Sequence, residues 1–115
     1  MHDARVLVAC ELKSYRQAIA AAFRTLRPDV KVFETEEENL DREVGRLGPD
    51  LVVCSQLTAV IEDRVPVWIE LYPGCGPRSV VSVRGERSTI EEIQLSDLLS
   101  VIDRASRPPT GSRAI

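Results

Sequence analysis

The 115-residue chain has few aromatic side chains, 4% in all: two Phe, two Tyr and one Trp. A core made from this composition has to be largely aliphatic. His2 is the single histidine, so the chain cannot supply the imidazole sets of common zinc sites. Long apolar runs are also lacking. The longest, Ala18 to Phe23, is far shorter than the roughly 20 residues that span a bilayer. No basic stretch followed by a long apolar segment opens the sequence, so no export signal is expected. Basic residues are in deficit, 15 against 18 acidic ones, for a net charge of −3. Phosphate backbones demand a basic surface, so nucleic acid is not the expected partner. No membrane partner is expected either, and the expected compartment is the cytoplasm. Lysine is scarce: only Lys13 and Lys31 stand beside thirteen Arg.

What is present is an ordinary globular composition, with 43% hydrophobic and 29% charged residues. This length favours one domain. The expected unit covers residues 1–106. Residues 107–115, beginning Arg107-Pro108-Pro109-Thr110-Gly111, are expected to form a flexible tail. The three cysteines, Cys10, Cys54 and Cys75, cannot all pair within one chain. Reduced thiols are the expectation.

Apolar periodicity sets out the elements. Arg5 to Cys10 is a Val-rich run that reads as a strand buried on both faces. Tyr15, Ile19, Ala22, Phe23 and Leu26 recur at helical spacing, with Ser14 as the expected cap and Pro28 as the stop. Val30 to Phe33 reads as an edge strand. Four Glu within residues 34–38 read as a solvated loop or a first helical turn. Leu40, Val44 and Leu47 mark a second helix ended by Gly48-Pro49. Asp50 to Cys54 is the third strand, Leu57 to Ile61 a short helix, and Val65 to Tyr72 the fourth strand. Such alternation favours a parallel sheet with helices on both faces. After the rigid Pro73 to Pro77 loop the pattern changes. Ser79 to Val83 and Ser88 to Ile93 read as a β-hairpin turning at Gly85-Glu86, followed by a helix through Leu95, Leu98, Leu99, Ile102 and Ala105. The expected fold is therefore α/β, a flavodoxin-like three-layer sandwich. Its parallel core has strand order 2-1-3-4, followed by a C-terminal hairpin and a final helix.

Residues 4–72 resemble the receiver domain of bacterial response regulators, the CheY-like family. The resemblance is carried by Arg5-Val6-Leu7-Val8-Ala9-Cys10-Glu11, Ser14-Tyr15-Arg16 and Pro49-Asp50-Leu51-Val52-Val53-Cys54-Ser55. Receivers hold Mg²⁺ with two adjacent acids after the first strand; those positions here are Cys10 and Glu11. The phospho-accepting Asp falls on Ser55. The Thr or Ser at the end of the fourth strand falls on Leu71, and the family's Lys has no clear match. A hairpin also stands where receivers have a helix. Receiver chemistry needs a carboxylate-held metal and an Asp nucleophile, and only Glu11 survives of the acidic group. The resemblance thus implies a pseudo-receiver: a non-enzymatic, phosphorylation-independent module for signal transduction through protein contacts. It implies no cofactor or resident metal, leaves the protein partner unnamed, and allows a homodimer.

Two other readings compete. Cys10, Cys54 and Cys75 all fall at or after strand ends, where open sheets bind ligands, and could form a thiol or metal site. Their spacing matches no zinc pattern, and buried Cys often serves as a small hydrophobe. Cys10 to Arg16 also fits the Cys-x5-Arg phosphate loop of low-molecular-weight tyrosine phosphatases. That loop needs small residues around the phosphate, whereas this one reads Glu-Leu-Lys-Ser-Tyr. For the hairpin, Val81, Val83, Ile90 and Ile93 are the expected interface, with one apolar face left for a partner or second copy.

Overall fold

Strands and helices alternate along the chain in the computed structural model, which describes residues 4–73 and 76–106, the side chain of Ser106 excepted. The order is β1 (Arg5–Ala9), α1 (Lys13–Leu26), β2 (Lys31–Glu34), a 3-10 turn (Glu37–Asn39) running into α2 (Leu40–Leu47), β3 (Leu51–Cys54), α3 (Ala59–Arg64), β4 (Val67–Glu70), β5 (Arg78–Val83), β6 (Glu86–Glu91) and α4 (Leu95–Ser106). This is an α/β fold with one mixed sheet, ordered β2-β1-β3-β4-β5-β6. β1 runs parallel to β2 and β3, and β3 to β4. β5 turns antiparallel to β4 and pairs with β6. Among the described residues no helix is long and apolar enough to cross a membrane.

Alternation along the central strands sorts the core into two layers. Val6, Val8 and Cys10 of β1 and its end, Leu51 and Val53 of β3, and Val67 and Ile69 of β4 pack with Ile19 and Phe23 of α1 and Leu98, Val101 and Ile102 of α4. Leu7, Ala9, Val52, Cys54 and Trp68 face the other way, onto Leu40, Val44 and Leu47 of α2 and Ile61 of α3. Both faces being covered is why these strands read as continuous apolar runs. A bidentate ion pair, Arg27 to Asp103 at 2.8 and 2.9 Å, ties the end of α1 to α4.

Local details depart from the sequence expectations. Leu12, not Ser14, caps α1, without any side-chain cap bond. The helix starts earlier because the Arg16 N–H already reaches the Leu12 carbonyl at 2.9 Å. Val83 pairs with Glu86, so the hairpin turns at Arg84-Gly85 rather than Gly85-Glu86. Both turn residues have positive φ, 49° and 92°, the geometry that matches the twist of two-residue hairpins. β6 accordingly begins and ends two residues earlier than expected. The four hairpin residues expected to form an interface are turned inward. Val81 is fully buried and Ile93 nearly so, in the layer with α4, while Val83 and Ile90 pack against that layer. Two-residue alternation and the β5–β6 register put Val81, Val83 and Ile90 on the α4 side, and Ile93, just past the end of β6, packs into the same layer, so they belong to the core rather than to a free face. His2 and the 107–115 segment lie outside the described residues.

Candidate functional site: a rim cleft

Open parallel sheets offer ligands the crevice beyond the C-terminal ends of their strands. Here the segments leaving β1, β3 and β4 meet at such a rim, with the 3-10 turn after β2 beside them. They enclose a cleft of about 530 Å³. Glu11 and Leu12 come from the β1 end, Ser55 and Gln56 from the β3 end, and Glu70 to Pro73 from the β4 end; Tyr15 of α1 and Glu37 complete the lining.

Hydrogen bonds hold each segment in place. The Glu11 N–H donates to Ser55 Oγ at 2.9 Å, clasping the β1 loop to the β3 end. The Leu57 N–H donates to Glu70 Oε2 at 3.0 Å. The Leu71 N–H donates to the Cys54 carbonyl at 2.8 Å. Tyr72 sits at φ 46°, a conformation bulky residues rarely adopt. Its N–H donates to Ser79 Oγ at 3.1 Å and its hydroxyl to the Ile93 carbonyl at 3.2 Å.

Electrostatically the cleft is acidic. Burial, and next the charge of Glu11, push the Glu37 carboxyl above the usual carboxylate range. Glu37 Oε2 is inaccessible and has no hydrogen-bond partner. Burial, with Tyr72 and Cys10 adding to it, raises the Tyr15 phenol. A smaller hollow of about 300 Å³ shares Glu11 and Glu37 and is lined also by Lys13 and Arg16. Arg16 is only 8% exposed. Its Nη1 donates to the Cys10 carbonyl at 3.3 Å, and its Nε has no partner.

Of the residues singled out from sequence, Glu11, Ser55 and Leu71 meet at this cleft. Cys10 lies beneath it in the α1/α4 layer, and Cys54 on the opposite face in the α2/α3 layer. Burial pushes the Cys10 thiol up to about 11 and the Cys54 thiol higher still. Thiols are the reactive or metal-binding species only as thiolates, so these two are packing groups. Cys75 lies outside the described residues. Among the described residues no group of three or more His, Cys, Asp or Glu is placed to hold a metal. The shared thiol site is therefore corrected for Cys10 and Cys54: strand alternation separates them. The Cys-x5-Arg reading finds no support on separate grounds: Cys10 is buried, burial raises its thiol, and the Arg16 guanidinium donates to the Cys10 carbonyl. Tyr72 and Pro73, which the sequence places at the rim as interface candidates, do line the cleft; Glu37, Glu70 and Tyr15 are not marked by the sequence reading, and the signal available was that Glu37 and Glu70 follow or end rim strands.

Comparison with known proteins adds one relative. The chain is similar to a ribosomal RNA small subunit methyltransferase H of Mycolicibacterium gilvum (strain PYR-GCK), at 34% identity over 92 residues. The match takes in 78% of this chain but 23% of that protein, so the chain spans about a quarter of the relative's length. No protein-family model matches the chain, and no solved structure matches it.

Proposed function

We propose that this chain is a pseudo-receiver: a flavodoxin-like regulatory module that works through protein contacts, without phosphorylation. The observation that carries this reading is the Ser55 clasp. At the position where the receiver resemblance expects an ionised Asp, a neutral hydroxyl accepts the Glu11 N–H at 2.9 Å. A hydroxyl cannot form an acyl phosphate, and here it already links the two loops that a phosphoryl group would have to bridge. Cys10, at the neighbouring acidic position of the resemblance, is a buried protonated thiol. Leu71, at the hydroxyl position, is buried in the core. A second copy is one partner this reading allows, since β6 is an exposed edge strand.

The test is intact-mass spectrometry after incubation with acetyl phosphate and Mg²⁺. No phosphoryl adduct is expected, and calorimetry should show no tight Mg²⁺ binding. A stable gain of one phosphoryl group overturns the reading.

A further inference from the structure

We propose that β6 pairs with β6 of a second copy of this chain, antiparallel across a two-fold axis at Thr89, so that two sheets join into one. This rests on the reading of the chain as a module that acts through protein contacts, and it names the contact. The phase of the hairpin fixes which backbone groups are free. The Arg84 N–H donates to the Pro66 carbonyl at 2.7 Å, so even-numbered residues of β5 point their backbone groups at β4. Odd-numbered residues of β5 therefore face β6, where Val83 stands against Glu86, Val81 against Ser88 and Ser79 against Ile90. The Glu92 N–H, on the Pro77 carbonyl at 2.9 Å, continues the same phase. Arg87, Thr89 and Glu91 are left with N–H and C=O directed out of the sheet edge. Among the described residues nothing bonds to those groups. The opposite edge is guarded: β2 has four residues, and Arg24 Nη2 donates to its Val32 carbonyl at 3.0 Å. β6 has six residues, none of them proline and all but Ile90 exposed.

Self-complementarity argues for a second copy as the occupant. In an antiparallel pair, residues with outward groups stand opposite one another and exchange two N–H···O bonds. An axis at Thr89 engages all three residues: Thr89 meets the partner's Thr89, and Arg87 meets the partner's Glu91 on both sides of the axis. A shift of two residues either way sets Thr89 against Arg87 or Glu91 and leaves the third residue beyond the strand. Charge follows the same register. Arg78 pairs with Glu91 across the hairpin at 3.3 Å, and Arg87 pairs with Glu62 of α3. Exposed pairs of this kind contribute little alone. Across the seam, however, the signs continue to alternate: Arg78, Glu91, the partner's Arg87, the partner's Glu62. Opposite charges facing across paired strands stabilise the pairing. On the other face Ile90, partly covered beneath α4, comes beside the partner's Ser88. Glu92, at φ 51°, turns the chain away after Glu91, so pairing stops before two Glu would meet. Each patch is its own complement, as a two-fold contact requires.

One strand pair is a small interface, so the dimer expected is a weak one, half formed at roughly 100 μM. Sedimentation velocity of the native chain should show the average mass rising from one chain at about 5 μM toward two at about 500 μM. Over that range, NMR-detected hydrogen exchange should show the amides of Arg87, Thr89 and Glu91 gaining protection. Those of Glu86, Ser88 and Ile90, bonded within the hairpin, should stay protected throughout. Thr89→Lys sets two ammonium groups against each other at the axis and should weaken association several-fold. Glu91→Arg and Arg87→Glu should each do the same, and an equimolar mixture of the two should regain it, because only the mixed dimer restores opposite charges at both positions. Circular dichroism checks that each variant is folded, and Thr89→Lys carries the test if Arg87→Glu is not. A native chain still monomeric at about 500 μM overturns the proposal. Association unchanged by Thr89→Lys overturns it too, as does a mixture of folded charge variants that stays monomeric. Full protection of the three outward amides already at about 5 μM would mean that the chain's own residues cover the edge, and likewise overturns it. A phosphoryl adduct in the mass experiment instead overturns the pseudo-receiver reading and leaves the measured association standing.

Discussion

Burial raises the Cys10 thiol from 9.0 to about 11, and this makes stability depend on pH in a definite direction. Below pH 9 the thiol is protonated in both folded and unfolded chains and contributes no slope. Between pH 9 and about 11 the unfolded chain releases the proton while the folded one keeps it. Stability therefore falls as pH rises through that window, by about 1–3 kcal/mol for this group. Urea unfolding of the native protein and of Cys10→Ala at pH 7.5, 9 and 10.5 should show the gap between them narrowing toward alkaline pH. Glu37 provides the acidic counterpart. Its raised carboxyl means that the folded state holds its proton to higher pH than the unfolded state does. Its contribution is complete in acid and is lost as pH rises through the carboxylate range. Glu37→Gln should thus melt higher than the native protein at pH 7, with the difference closing toward pH 3.5.

At the scale of elements, the second face of the sheet shows what stands beyond α3 in place of a covering helix. Trp68 of β4 is covered by the Arg87 guanidinium, 5.1 Å from the ring centroid, and Arg87 is itself paired with Glu62 of α3. Arg87→Ala should open Trp68 to water, giving a red-shifted emission and a loss of about 1 kcal/mol. If emission is unchanged, the guanidinium is not the cover. Nothing in the sequence joined residues 62, 68 and 87, because their meeting depends on the β4–β5–β6 register. Elements defined by local chemistry were legible. Gly48 ends α2 at φ 58° with its N–H on the Val44 carbonyl, the role its position after the last apolar residue announces. The site was legible only where strand ends are themselves legible, at Glu11, Ser55 and Leu71. Glu37 lies in a run of four Glu that looks equally solvated throughout, and only the fold singles out the one carboxylate whose oxygen is buried without a partner.

For the whole molecule, the hairpin decides which face is core and which is free. Val81 stands opposite Ile69 of β4 and is 0% exposed, in the layer beneath α4. Thr89 is exposed and pairs with Val80 on the other face of the hairpin. A lysine at position 81 would need to bury its ammonium without a counter-ion or to force α4 off the sheet. A lysine at position 89 keeps its ammonium in water. Val81→Lys is therefore expected to cost about 3–5 kcal/mol, a large part of the roughly 5–15 kcal/mol that holds a domain of this kind together. Thr89→Lys should stay within about 0.5 kcal/mol. Urea denaturation of the two variants is the check. If the Val81 variant kept native stability, the hairpin would have to pack with its other face toward α4. Val81, Val83, Ile90 and Ile93 would then return to the surface as an interface.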